Sequence, residues 1–142
     1  MIIKQLSVFL ENKEGRLFAA ADVLAKNNIN IRALSLADTS EFGILRLIVD
    51  KPEEGKAVLA ETGVVVRVTN VLGILMDDVP GGTLGALHLM ADAGINVEYM
   101  YGLSIDKAEA YVVLKSSSAS KTEEVLKANG VETLSPEELL KM

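Results

Sequence analysis

Residues Leu6–Asn30 read LSVFLENKEGRLFAAADVLAKNNIN, and residues Leu72–Asn96 read LGILMDDVPGGTLGALHLMADAGIN. Laid over each other at an offset of 66, Leu6 falls on Leu72, Gly15 on Gly81, Ala20 on Ala86, Ala25 on Ala91, Ile29 on Ile95 and Asn30 on Asn96. After a slip of one residue the match resumes, with Val58-Leu59 on Val125-Leu126 and Gly63-Val64 on Gly130-Val131. The chain is one unit written twice, over residues 1–69 and 70–142, and such duplication decides the fold before any single element does.

Each repeat reads alike. Leu6, Val8 and Leu10 alternate with polar or exposed positions, the period of a strand with one buried face. A polar turn ends in Gly15. Leu17, Ala20, Ala21 and Leu24 then recur at helical spacing, and Asn27-Asn28 stop the helix. In the second repeat the stop is Gly94, suited to a left-handed cap. Ile29 to Ala37 and Phe42 to Asp50 read as strands joined by the turn Asp38-Thr39-Ser40-Glu41. A helix follows over Pro52 to Glu61, then a strand from Val64. The second repeat's counterparts are Ile95–Ser104, Ala108–Lys115, Thr122–Ala128 and Val131–Leu134, and Ser135-Pro136-Glu137-Glu138 is a capping box that starts a short terminal helix. The expected fold class is α+β: two ferredoxin-like βαββαβ units in tandem, each an antiparallel sheet with helices on one face. The Thr69-Asn70 junction is too short for a flexible linker, so the units are expected to pack directly.

Of the 142 residues, 49% are hydrophobic and 24% charged, the balance of a globular chain. Aromatics are only 4%, so Leu, Ile, Val, Ala and Met must fill the core. The net charge of −6, with no cluster of Lys and Arg, argues against nucleic acid as a partner. Cysteine is absent, which excludes disulfides, thiolate nucleophiles and cysteine metal sites. Met1-Ile2-Ile3-Lys4-Gln5 turns polar too early for a signal peptide. The most apolar stretch, Val64 to Met76, is cut by Arg67, Thr69 and Asn70, well short of a membrane span. A cytoplasmic location without membrane contact is expected.

The most unusual local sequence is the turn between first strand and first helix. In the first repeat it is Glu11-Asn12-Lys13-Glu14-Gly15-Arg16-Leu17; in the second, Asp77-Asp78-Val79-Pro80-Gly81-Gly82-Thr83-Leu84. Acidic or Asn residues at a strand end, then Glu-Gly or Pro-Gly, then an Ala/Leu-rich helix closing on Asn-Ile-Asn or Gly-Ile-Asn, resembles the ACT domain. That family comprises regulatory modules that typically bind amino acids. The resemblance spans both repeats and leaves no stretch over for a catalytic domain, as in stand-alone tandem ACT proteins, so no enzymatic activity and no cofactor or metal are expected. It implies that an effector sits where one module's loop meets a neighbouring module. The matching ligand-binding positions are Asn12, Lys13, Glu14, Gly15, Arg16 and Leu17 in the first repeat. In the second they are Asp77, Asp78, Val79, Pro80, Gly81, Gly82 and Thr83. The family's Asn at the start of the second strand is matched by Asn30 and Asn96. Glu14-Gly15 departs from Pro-Gly, so the two loops are not expected to bind equally.

The physical chemistry points the same way. A free amino acid is a zwitterion and needs an anion site and a cation site a few ångströms apart. The start of the helix, with unpaired N–H groups and the positive dipole end, is an anion site; Gly81 and Gly82 would let a carboxylate approach the backbone. The carboxylates of Asp77 and Asp78 suit the ammonium group. Two or three charge-assisted hydrogen bonds of roughly 1.5–3 kcal/mol each give about 4–8 kcal/mol, a Kd of about millimolar to micromolar.

Blander readings stand beside these. Gly81-Gly82 is equally a tight turn, Asn30 and Asn96 turn residues, and Arg16 a solvated side chain. No Gly-Lys-Ser/Thr follows the glycines, so a nucleotide-phosphate loop is not indicated. His88, the single histidine, has no second ligand residue beside it and reads as a surface or interface residue. Tyr99 and Tyr101 share a strand face with Val97 and read as core or interface packing. Glu53-Glu54, Glu123-Glu124 and Glu137-Glu138 sit at helix starts and suit the dipole there. The leading reading is an amino-acid sensor, a homo-oligomer (dimer) whose partner is an enzyme or transporter. Its rivals are an acylphosphatase-like hydrolase using Arg16 and Asn12, and a purely structural oligomerisation module.

Overall fold

The computed structural model describes residues 1–38, 41–77, 79–106 and 109–141. The chain divides into two compact units, Lys4–Thr69 and a second made of Met1–Ile3 with Asn70–Met142.

In the first unit β1 (Ile2–Glu11) leads into α1 (Arg16–Lys26), β2 (Ile31–Asp38), β3 (Phe42–Val49), α2 (Pro52–Glu61) and the start of β4 (Val65–Met76). The strand order is β2-β3-β1-β4, with β3 antiparallel to both neighbours given a register. Leu6 lies opposite Leu47 and Val8 opposite Leu45, so the alternating residues of β1 and β3 share one face. Ala20 and Leu24 of α1 and Leu59 of α2 close over that face, making one core with Leu6, Val8, Leu10 and Val49. α1 ends where the side-chain amide of Asn27 donates to the carbonyl of Val23 at 2.8 Å and Asn28 turns to a φ of 57°. Asn tolerates this left-handed geometry better than most residues.

The second unit uses the rest of β4, then α3 (Leu84–Asp92), β5 (Val97–Asp106), β6 (Glu109–Ser116), α4 (Ala119–Ala128) and α5 (Pro136–Leu140). Its order is β4-β6-β5, antiparallel throughout, with Leu72 opposite Leu114. Leu72, Ile74 and Leu114 pack with Met90 of α3, Ile95 and Leu126 of α4. This is the same core as in the first unit, built at the aligned positions, and the architecture is the tandem ferredoxin-like α+β fold.

Three expectations change in detail. The strand expected over Val131–Leu134 is a single bridge, Ile74 to Thr133, flanked by Leu75 N–H donating to Glu132 at 3.2 Å and Leu134 N–H donating to Gly73 at 2.7 Å. Ser135 already caps α5, its hydroxyl accepting from Glu138 N–H at 3.1 Å, and Pro136 cannot donate to a ladder. α4 begins at Ala119 instead of Thr122 because Ser118 is an N-cap that accepts from Lys121 N–H at 3.2 Å. The Thr69-Asn70 junction lies inside β4, which is one uninterrupted strand there. Thr39 and Ser40 of the expected turn, and Ala108 at the start of the expected strand, lie outside the described residues.

Candidate functional site

The two strand-to-helix loops share a backbone and differ in what fills them. Gly15 and Gly81 both adopt positive φ, 81° and 79°, which an L side chain resists. After each glycine the helix opens without a side-chain cap and without an acidic residue in its first turn. By contrast, α4 and α5 are capped by Ser118 and Ser135, and α2 carries Glu53 and Glu54. The N–H groups of Leu17 and Phe18 in α1, and of Gly85 and Ala86 in α3, have no hydrogen-bond partner among the described residues. Each helix therefore presents a positive, unsatisfied end.

In the first loop Asn12 N–H donates to the Glu41 carbonyl at 3.0 Å, and Arg16 N–H to Lys13 at 3.3 Å. Lys13 Nζ binds Glu11 Oε2 at 3.0 Å, and an Arg16 guanidinium nitrogen lies 3.8 Å from the same oxygen. The hydrogen bond from Lys13, followed by the charges of Lys13 and Arg16, holds the Glu11 carboxyl below the usual glutamate range. The cations of this loop thus already face an acid of their own. Glu14 and Leu17 are exposed.

The second loop closes on itself. Gly82 N–H donates to the Val79 carbonyl at 2.9 Å, and Leu84 N–H to Gly81 at 3.0 Å. A Cβ on Gly82 would stand 1.9 Å from the Asp77 carbonyl oxygen, so only glycine fits this turn. For Gly82 this differs from the expectation of a backbone open to a ligand: its N–H is engaged, and its missing side chain makes room for the Asp77 carbonyl. Further on, the N–H groups of Gly85 and Ala86 have no partner among the described residues. Asp77, Val79 and Pro80 are exposed, Thr83 half-buried, and Asp78 lies outside the described residues.

A hollow of about 350 Å³ adjoins these donors. Gly82, Gly85 and Ala86 line one side; Leu75, Met76 and Val131 form apolar wall, and Asp77 and Glu132 are its charged residues. Among the described residues, no Lys, Arg or His lines it. Glu132 and Val131 escaped the reading of the sequence because they sit in the reduced fourth strand; the Gly63-Val64/Gly130-Val131 match was the signal that could have found them. At the position of Glu132 the first repeat has Val65.

Asn30 and Asn96 stand apart from the strand-to-helix loop of their own unit. Asn30 exchanges backbone bonds with Asp50, donating to its carboxylate at 2.9 Å and accepting from its N–H at 3.1 Å. Asn96 N–H donates to the Ser117 hydroxyl at 3.2 Å, and its carbonyl accepts from Ser117 N–H at 2.9 Å. Both thus stand at the far end of the third strand of their unit, roughly 25 Å of strand away from the loop. They join the helix exit to the next turn.

A larger hollow of about 430 Å³ in the second unit is lined by Met1, Tyr111, Glu123, Lys127, Thr133 and others. There the Met1 ammonium is bound to Thr133 Oγ1 at 2.6 Å and Glu123 at 3.0 Å, and the adjoining start of α5 is capped by Ser135. Among the described residues no group of three or more His, Asp or Glu could hold a metal ion, and no helix is long and apolar enough to cross a membrane.

Comparison with known proteins places this geometry in a family. A Bacteroides thetaiotaomicron protein of solved structure is 42% identical, over 100% of this chain and 98% of that one, with a TM-score of 0.93. The ligand-free regulatory subunit of aspartate kinase from Thermus thermophilus shares the fold at 12% identity, covering 89% of this chain and 92% of that one, TM-score 0.63. The corresponding subunit from Thermus flavus does so at 15% identity, covering 90% and 92%, TM-score 0.62. No functionally curated protein matches the chain. A family model described as ACT domain pair matches residues 1–142, and the chain belongs to that family.

Proposed function

We propose that the chain is an amino-acid-binding regulatory protein that makes and breaks no covalent bond, and that its second repeat holds the ligand in the hollow at the start of α3. The observation that carries this reading is that Gly85 and Ala86, whose N–H groups lack a partner among the described residues, line one hollow together with the acidic residues Asp77 and Glu132. A zwitterion's carboxylate meets the positive helix end and its ammonium meets the acids. The hollow's size suits a single amino acid, and its lack of cationic residues disfavours one with an acidic side chain. In the first repeat Glu11 engages Lys13 and Arg16, and Val65 replaces the second acid, so one ligand per chain is expected.

Binding transmits a signal only to the extent that the ligand favours one arrangement of the protein over another; an enzyme or transporter bound to this chain would read that difference. A thermal-shift screen against the twenty amino acids tests the proposal. A ligand at 100 times its Kd adds about 2.7 kcal/mol, and aspartate and glutamate should be among the weak responders. Asp77→Asn and Glu132→Gln should each weaken the best ligand by roughly 10-fold, the value of one charge-assisted hydrogen bond. Absence of any response, or a response untouched by both substitutions, rejects the assignment.

A further inference from the structure

The larger hollow of the second unit is lined by charges that the chain itself leaves unmatched. Its volume of about 430 Å³ lies within the range of small-ligand pockets. Glu123 and Lys127 reach it from successive turns of α4, Glu132 from the segment bridged to β4, and Glu138 from α5. Tyr111 of β6, only 8% exposed, and Val131 contribute ring and methyl surface. One acid is occupied: Glu123 holds the Met1 ammonium at 3.0 Å. Among the described residues no ion pair or hydrogen bond engages the side chains of Lys127, Glu132 or Glu138. One open cation and two open carboxylates remain.

The duplicated fold does not require this set. With the repeats aligned, Lys56, Ala60 and Val65 stand where the second repeat has Glu123, Lys127 and Glu132, and the first unit builds the same kind of core without them. Two carboxylates around one hollow repel each other until a cation comes between them.

We propose that this hollow is a second ligand site, for an amino acid with a cationic side chain, additional to the one ligand that the strand-to-helix loops would hold. The ligand's carboxylate pairs with Lys127, and its two cationic groups pair with Glu132 and Glu138. Every open charge is then closed by a charge-assisted bond, and the ligand's methylenes lie against Tyr111 and Val131. Other charge patterns fall short. A neutral zwitterion leaves one carboxylate open, a diamine leaves Lys127 facing added cations, and an acidic amino acid brings a second anion to a hollow already short of cations.

Titration calorimetry of the full chain with three related compounds tests this: lysine, norleucine, which lacks the side-chain ammonium, and cadaverine, which lacks the carboxylate. Lysine should bind about 10-fold more tightly than either analogue, the value of one charge-assisted pair. Lys127→Ala should erase its advantage over cadaverine, and Glu138→Gln its advantage over norleucine. Both residues are exposed and line this hollow but not the one at the start of α3, so an unchanged circular dichroism spectrum is expected of both variants. Asp77 lines only the hollow at α3. Lysine binding that falls with Asp77→Asn and ignores Lys127→Ala and Glu138→Gln would overturn the second site while sparing the first. No binding of lysine, equal affinity for the three compounds, or persistence of either advantage in its own variant also overturns it.

Discussion

Replacing Gly82 by alanine tests the reading of the second loop more sharply than any substitution of its acids. The new Cβ would stand 1.9 Å from the Asp77 carbonyl oxygen and 3.1 Å from that of Val79. Both are backbone atoms, so no rotamer change relieves the contact. The turn must open, with strain of about 1–3 kcal/mol and loss of the Gly82 to Val79 hydrogen bond, about 1 kcal/mol. For a chain of 142 residues each kcal/mol moves the melting temperature by about 3 °C, so a fall of roughly 6–12 °C is expected. Gly85→Ala is the control. It lies three residues away, in the first turn of α3, and its added methyl meets nothing within 4 Å. Alanine in place of helical glycine is worth about 0.5–1 kcal/mol, which raises the melting temperature by roughly 2–3 °C. Calorimetry on both variants without added amino acid reads the difference. Equal melting temperatures, or a Gly82→Ala protein indistinguishable from wild type, would refute the claim that this glycine exists to let the loop close on Asp77.

Two further expectations follow from the first unit. Leu59→Ala removes a fully buried side chain from the core under α2 and should cost about 2–5 kcal/mol, read by urea denaturation; a loss under about 1 kcal/mol would mean the core collapses around the gap. The Glu11 carboxyl should titrate below an ordinary glutamate in a side-chain NMR pH series, and Lys13→Ala should raise its midpoint more than Arg16→Ala, since the Lys13 hydrogen bond is the leading cause. A depressed carboxyl contributes stability that is present above the ordinary glutamate range and is lost as pH falls through the lowered midpoint. In this fully exposed pair the contribution is small.

The fold was legible because its signals are periodic and occur twice. Leu6, Val8 and Leu10 face the core, and Asn28 and Gly94 take the left-handed geometry their positions at the helix ends demanded. The reduced strand at Thr133 was not legible from apolar residues alone: Val131 and Leu134 suit a strand, but Ser135-Pro136 claims the next residues for a helix. The site was legible only to the loop. Which glycine N–H remains open depends on the carbonyls that the turn folds back on, and no spacing rule encodes that. Asn30 and Asn96 recur at aligned positions because both serve the turn joining helix to sheet, the same structural problem solved twice.

Duplication itself explains why the two loops can differ so far. A βαββαβ unit needs the glycine at positive φ and the buried alternation of its strands, and both repeats keep these. It does not need any particular side chain at the strand end, because those residues are exposed and substitution there costs little. The first repeat has placed Lys13 and Arg16 beside Glu11, filling its loop with an ion pair of its own. In the second, Asp77 and Glu132 line the hollow beside Gly82 and Gly85, and among the described residues no cationic side chain lines it. On the proposed reading, a ligand there would bring a negative group to the N–H donors and a positive group to the acids, which is the chemistry of a zwitterion.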